Sequence, residues 1–294
     1  MNLHGQIMNS NLKEYYQFTN KAELAIIDSN YTHAMHYYKQ AFKTGYQFPV
    51  DLFHMMNVSC EIKDYDNAKW SINKLATFNP NKDWIVAHLI RNKLCDSIEI
   101  KVLFGDYDNY VSSLDTAMQN DNRAIWDLMY VIDQGCRKTD TTYIDRCDRW
   151  IDKELIDFIN KKGFPTYEKI GLKLYSVNIG YRDTEIDMLL THRRSMKDNE
   201  LMKLAYKATM IGDYDIRAFI TSWDFGSNDY WIVIPENYSA KELEEVNKKR
   251  AEIGLCDIED YLKKIEYSQR KENLKSQKYN FFTFFTIGIS YMKL

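Results

Sequence analysis

The chain has 294 residues, with 39 basic and 42 acidic side chains and a formal net charge of −3. Composition (45% hydrophobic, 28% charged) excludes a collagen-like or disordered chain and allows one large or two ordinary globular domains. The small net charge gives no reason to expect nucleic acid or an acidic membrane surface as a partner.

Four prolines and eleven glycines leave long stretches free of helix breakers, so the expected class is all-α with short connections. The first residues, MNLHGQIMNSNLKEYY, lack the basic region and apolar core of a secretory signal, which makes the cytoplasm the expected location. A start that omitted a signal would read the same way. The five cysteines (Cys60, Cys95, Cys136, Cys147, Cys256) are odd in number and show no CxxC spacing. Neither a zinc site nor a disulfide framework is expected, and buried thiols are the ordinary reading.

In chain order, one phrase is written twice. Asn30-Tyr31 and Asp64-Tyr65 each precede an alanine, and Ala34 and Ala68 stand 34 residues apart. Tyr38 and Ile72 follow four residues later, then Ala41 and Leu75, completing one apolar stripe in each helix. Pro80 closes the second copy, and Phe48-Pro49 closes the first three residues late.

Over residues 12–80 this pattern resembles the tetratricopeptide repeat. The resemblance implies antiparallel helix pairs stacked as a solenoid, with Ala34 and Ala68 where the two helices approach most closely. It also implies a concave groove that takes an extended peptide or a partner helix. Tyr31, Tyr38, Tyr65 and Trp70 are the candidate groove residues; the ordinary alternative is that they pack between helices. GDYDNYVSSL at 105–114 reads as a worn third copy after an eight-residue insertion, with Tyr110 in place of the alanine. GDYDIRAF at 212–219 is a fourth echo outside the run. His33 and His36 lie three apart without a third ligand at metal spacing, so no metal or other cofactor is expected.

Beyond Asn120 the 34-residue rhythm stops, but helices remain legible. They are expected over 123–135, 143–162 with a stop at Gly163-Phe164-Pro165, from 184 to the region of His192, and over NELMKLAYKATM. Ser239 and Glu242 read as a capping box, Gly254 as a stop, and Asp257 as the start of a last amphipathic helix. YWIVI at 230–234 reads as a short strand, and the uncharged FFTFFTIGISYM at 281–292 as a strand or docked tail too short to span a bilayer.

Several phrases here come in the order found in a bacterial domain family of unknown function. Asp133, Gln134 and Arg137 match its Asp-Gln-x-x-Arg, and Gly163, Phe164, Pro165 and Gly171 its glycine–aromatic–proline turn. His192 matches a helix-end histidine, and Arg250, Gly254, Leu255 and Tyr261 the closing phrase. The chain departs from the family at Ser222-Trp223, where an Asp-Arg pair is usual. It departs again at Tyr230 to Val233, where Tyr-Gly-Thr-Gln is usual.

The resemblance implies a pocket around Asp133, Arg137, His192 and Arg250. A histidine beside a carboxylate and arginines binds an anion or moves a proton, as in a hydrolase. The ordinary alternative is an i,i+4 ion pair between Asp133 and Arg137, with His192 at the negative end of a helix dipole. No Gly-rich phosphate loop, H-E-x-x-H or G-x-S-x-G is present.

The expected organisation is tetratricopeptide-like hairpins over 1–119, a helical domain over 120–268 with at most a minor strand pair, and a polar linker and apolar tail over 269–294. The expected function is a protein- or peptide-binding scaffold, with the hydrolase-like or anion-binding enzyme as the alternative. The sequence does not set the oligomeric state.

Overall fold

Asn30 and Asp64 each fold their side chain back onto a backbone N–H three residues on (His33 and Asn67), satisfying a donor that the first helical turn leaves unpaired. These caps open α2 (Tyr31–Lys43) and α4 (Tyr65–Ala76). Their hairpin partners are α1 (Ser10–Ile27) and α3 (Pro49–Glu61). Pro49 stands at the first turn of α3, where its missing N–H costs nothing.

The two hairpins turn in the same way. Ser29 and Lys63 take left-handed φ values of 56° and 60°, and the next N–H reaches back five residues, from Asn30 to Ala25 and from Asp64 to Ser59. The repeated phrase thus encodes a repeated helix stop. Ala34 and Ala68 are both fully buried, as the close-approach reading requires.

The computed structural model describes residues 8–78, 81–111, 122–139, 141–171, 185–192, 200–220 and 239–273. These are helical, with no strand among them. The expected strand at 230–234, the apolar tail, the Ser222 and Trp223 departures, Pro80 and the end of the third copy lie outside the described residues.

A third hairpin comes earlier than GDYDNYVSSL. It joins α5 (Lys82–Arg91) to α6 (Ser97–Leu103), with Lys93 at φ 55° and the Leu94 N–H bonded to Leu89. The Asp96–Glu99 capping box starts α6, and GDYDNYV follows it, with a helix resuming at 107. The Asp-Tyr phrase marks the following turn, at 104–106, while the α5–α6 turn runs through Leu94-Cys95.

In the second half, α7 (Asn122–Thr139) and α8 (Ile144–Lys162) form a hairpin. Helix α9 (Glu185–His192) packs on α7, and α10 (Glu200–Ile211) on α8. Helices α11 (Ala240–Glu252) and α12 (Ile258–Asn273) follow, and α12 lies against α1. Two glycine turns fit these helices to the first half. A Cβ on Gly212 (φ 88°) would stand 2.2 Å from the Tyr46 ring, and one on Gly254 (φ 78°) 2.8 Å from Tyr16. No other residue fits both the backbone and the space.

The centre of the molecule is α3, whose residues from Pro49 to Cys60 are all buried. Phe53 contacts Trp84 and His88 of α5, with ring centroids 5.4 and 4.6 Å away. His88 is held between Asn57 and Asn92, and burial pushes its pKa down to about 4, which keeps the ring neutral.

Replacing Ala34 or Ala68 with Leu adds a branched side chain at a fully enclosed position. Each change is expected to lower stability by roughly 1–3 kcal/mol through overpacking. Chemical denaturation measures it. Leu variants as stable as the parent would show that the hairpins do not depend on these contacts.

Candidate functional site

The proposed pocket assembles in part. Asp133 is buried on α7 and receives Arg137 from one turn further on, at 3.2 and 3.3 Å to Oδ1. Its Oδ2 accepts from Gln134 at 3.0 Å and meets His192 Nδ1, at the end of α9, at 2.5 Å. Arg137 also reaches across the hairpin to Asp148 of α8 at 2.6 Å. A carboxylate facing Nδ1 requires that nitrogen to carry the proton, which makes Nε2 the basic nitrogen of a neutral ring. About a fifth of the His192 side chain is accessible.

Charge decides between the two chemistries proposed for this cluster. Arg137 is engaged by two aspartates, so an incoming anion would meet two carboxylates and no free cation among these four side chains. The geometry suits a proton acceptor at Nε2 better than an anion site.

Arg250 does not join. It is buried between α11 and α12, where Nε donates to the Cys256 carbonyl at 2.7 Å and the guanidinium lies 5.1 Å from the centre of the Tyr261 ring. It holds the turn that Gly254 opens.

One cysteine expectation is corrected here. Cys136 and Cys147 are joined by a disulfide, with Cα atoms 6.8 Å apart. Spacing along the chain hid this, because the pair meets only when the α7–α8 hairpin closes. The bond sits beside Arg137 and Asp148, so one covalent and one ionic link tie the same two helices.

The four candidate groove residues differ in burial. Tyr38 is fully buried and its hydroxyl contacts His54 Nδ1 at 3.1 Å, so it lines no groove. The Trp70 ring lies 5.6 Å from Phe42, and the Tyr65 hydroxyl bonds to Glu99 of the third hairpin. Tyr31 is half-buried at the start of α2. Tyr31, Tyr65 and Trp70 rest against the core with part of each side chain still accessible.

A larger constellation was not foreseen. Where α1 and α3 meet the segment 215–220, Arg217 is almost fully buried and donates to Asp51 at 2.5 and 3.1 Å. It also bonds Asp215, at 2.8 to 3.2 Å, and lies 3.5 Å from Glu23. Lys264 of α12 reaches Glu23 at 2.5 Å. Tyr15 donates to Asp51 at 2.5 Å and receives the Phe48 N–H, while Tyr16 donates to Asp215 and receives the Ile216 N–H.

Burial dominates the titration of this network. It raises the pKa of Tyr15 and Tyr16 well above the phenol range, leaving both as neutral donors. Burial raises Asp215 as well, against the pull of Arg217. For Glu23 burial acts in the same direction, but Lys264 and Arg217 outweigh it and the carboxyl is lowered. Three carboxylates face two cations, so one negative charge is in excess.

Glu23, Asp51 and His54 also bring one ligand atom each within 4.8 Å of one another, a spacing a metal ion can bridge. Arg217 and Lys264 already share those carboxylates, and a divalent ion would sit against two fixed positive charges. The arrangement is that of an ion-pair network.

Two cavities lie apart from the His192 cluster. One of about 480 Å³ is lined by Phe164, Leu204, Lys207, Met210 and Asp213, and one of about 440 Å³ by Lys13, Gln17, Lys21, Leu255 and Asp260. No protein-family model matches the chain, and no curated protein or solved structure is significantly similar to it.

Substituting Met for Arg217 leaves Asp51 and Asp215 without their buried counter-charge. The expected loss of stability is roughly 3–5 kcal/mol. An equally apolar change at exposed Lys153, which pairs only with Asp157 at the surface of α8, serves as the control and is expected to be near neutral. Equal melting of the two variants would refute the central role of the network.

Proposed function

We propose that the chain is a helical-repeat scaffold that binds a protein or peptide segment through the open end of its hairpin array. The observation that carries this reading is the apolar surface of the third hairpin. Ile98 and Val102, one turn apart on α6, are 72% and 60% accessible, with Ile90 and Tyr110 also exposed. An amphipathic helix leaves such side chains uncovered where another element is meant to lie.

The inner face of α1 and α3 takes the chain's own 215–220 segment and α12, so the exposed side chains of α6 are the surface assigned to a partner. The resemblance of the repeat to tetratricopeptide units supports the same reading. A net charge of −3 favours a protein over nucleic acid. No described helix is long and apolar enough to cross a membrane. The Cys136–Cys147 disulfide favours an oxidising compartment over the cytoplasm.

A second reading rests on the 2.5 Å contact between His192 and Asp133. Here the cluster is a general base of a hydrolase-like enzyme, with Asp133 orienting the ring and Arg137 fixing Asp133.

One set of variants separates the two. Ile98→Glu with Val102→Glu is expected to keep the parent's helicity and melting temperature while losing a partner captured and cross-linked to α5 and α6 by the parent. Capture that survives the change overturns the scaffold reading. Ester or phosphoester hydrolysis that falls by about 10²-fold in His192→Gln, with capture intact, would favour the enzyme.

A further inference from the structure

Cys60 closes α3 and Cys95 lies in the α5–α6 turn, 35 residues further on, as free and buried thiols. Their sulfurs are 3.2 Å apart, closer than two non-bonded sulfurs ordinarily rest. A disulfide requires about 2.05 Å, so bond formation asks for a closure of roughly 1 Å.

The surrounding turns are already tied to each other. The Cys60 carbonyl accepts the Lys63 N–H, and Lys63 Nζ donates to the Leu94 carbonyl at 3.2 Å and pairs with Glu99 at 3.4 Å. Tyr65, two residues past Lys63, bonds the same Glu99. The second and third hairpins therefore hold the two sulfurs in register.

We propose that Cys60 and Cys95 are an oxidisable pair that closes into a second disulfide by exchange with a low-molecular-weight disulfide. Cys95 is 5% accessible and Cys60 not at all, so Cys95 meets the reagent. Its thiolate attacks one sulfur of the reagent, forming a mixed disulfide and releasing the first thiolate. Cys60 then gives up its proton and attacks the Cys95 sulfur, expelling the second. Two protein thiols are oxidised and one small disulfide is reduced to two thiols.

The local chemistry favours this order. A hydrogen bond with Cys60 lowers the pKa of Cys95, and the same bond, together with burial, raises that of Cys60. Lys63 lowers and Glu99 raises both thiols, so the asymmetry comes from the Cys60–Cys95 bond and from burial. Cys256, beside Lys264 and Arg250 in the second half, has no sulfur partner and serves as an internal control.

The test uses the full chain, reduced with dithiothreitol and equilibrated in glutathione buffers of increasing oxidised fraction. After acid quenching and alkylation, peptide mapping is expected to find Cys60 joined to Cys95, lighter by two hydrogens than the separate thiols. Cys256 is expected to remain alkylated. On oxidation the melting temperature is expected to rise several degrees further in the parent than in Cys95→Ser, where only Cys136–Cys147 closes. The proposal fails if both cysteines stay alkylatable, or carry only glutathione, in buffers where Cys136–Cys147 has closed. A cross-link from either one to Cys256 would also overturn it. The peptide map needs only the parent chain, so poor folding of the variant leaves the test intact.

Discussion

The structure turns on one guanidinium. Arg217 sits inside the protein with nearly all of its surface gone, and the carboxylates that receive it come from α3 and from its own turn, with Glu23 of α1 close by. Removing a cation from water costs several kcal/mol, so the group is tolerated only where its donors are met. That condition places the segment 215–220 at one position and one orientation on α1 and α3. Lys264 does the same for α12 through Glu23. The first and second halves of the chain thus share ionic contacts that an apolar interface would not have made so selective.

The sequence disclosed the local part of this design. Caps, helix stops and apolar stripes act over a few residues, which is why the Ser239 capping box and the Gly254 stop mark helix ends where they were read. The 34-residue spacing was legible because the turn itself repeats. The α5–α6 hairpin went unread because its turn uses Leu94 and Cys95, which carry no cap, and delays the capping residue to Asp96. The Asp-Tyr phrase stands after α6, just before the helix that resumes at 107.

Site residues divide along the same line. Asp133 and Arg137 were legible as a pair one helical turn apart, and His192 joins them through a contact 59 positions long. Arg217 was invisible for the opposite reason. In the phrase DIRAFI a lone arginine among apolar residues reads as the exposed edge of a helix. Only Asp51, 166 positions away, reveals that it is buried. The Cys136–Cys147 bond was hidden likewise, since its spacing has no meaning until a hairpin folds it back. Charge and covalent pairing at long range are properties of the tertiary fold, and single-sequence patterns do not contain them.

Helix α3 carries a consequence for the birth of the chain. Every residue from Pro49 to Cys60 is covered, and part of that cover arrives late: Arg217, the counter-ion of Asp51, stands 166 positions further on, and Lys264, which meets Glu23 of the neighbouring α1, lies 241 positions beyond that residue. On the ribosome, the middle of the protein is therefore made early and completed last. At a synthesis rate of about 5–20 residues per second, Asp51 waits roughly 8 to 33 seconds for its counter-ion to be made. During that interval the early hairpins hold an acidic, partly apolar face open to solvent. The nascent chain is most exposed to aggregation and to chaperones at the stage when its first half looks finished.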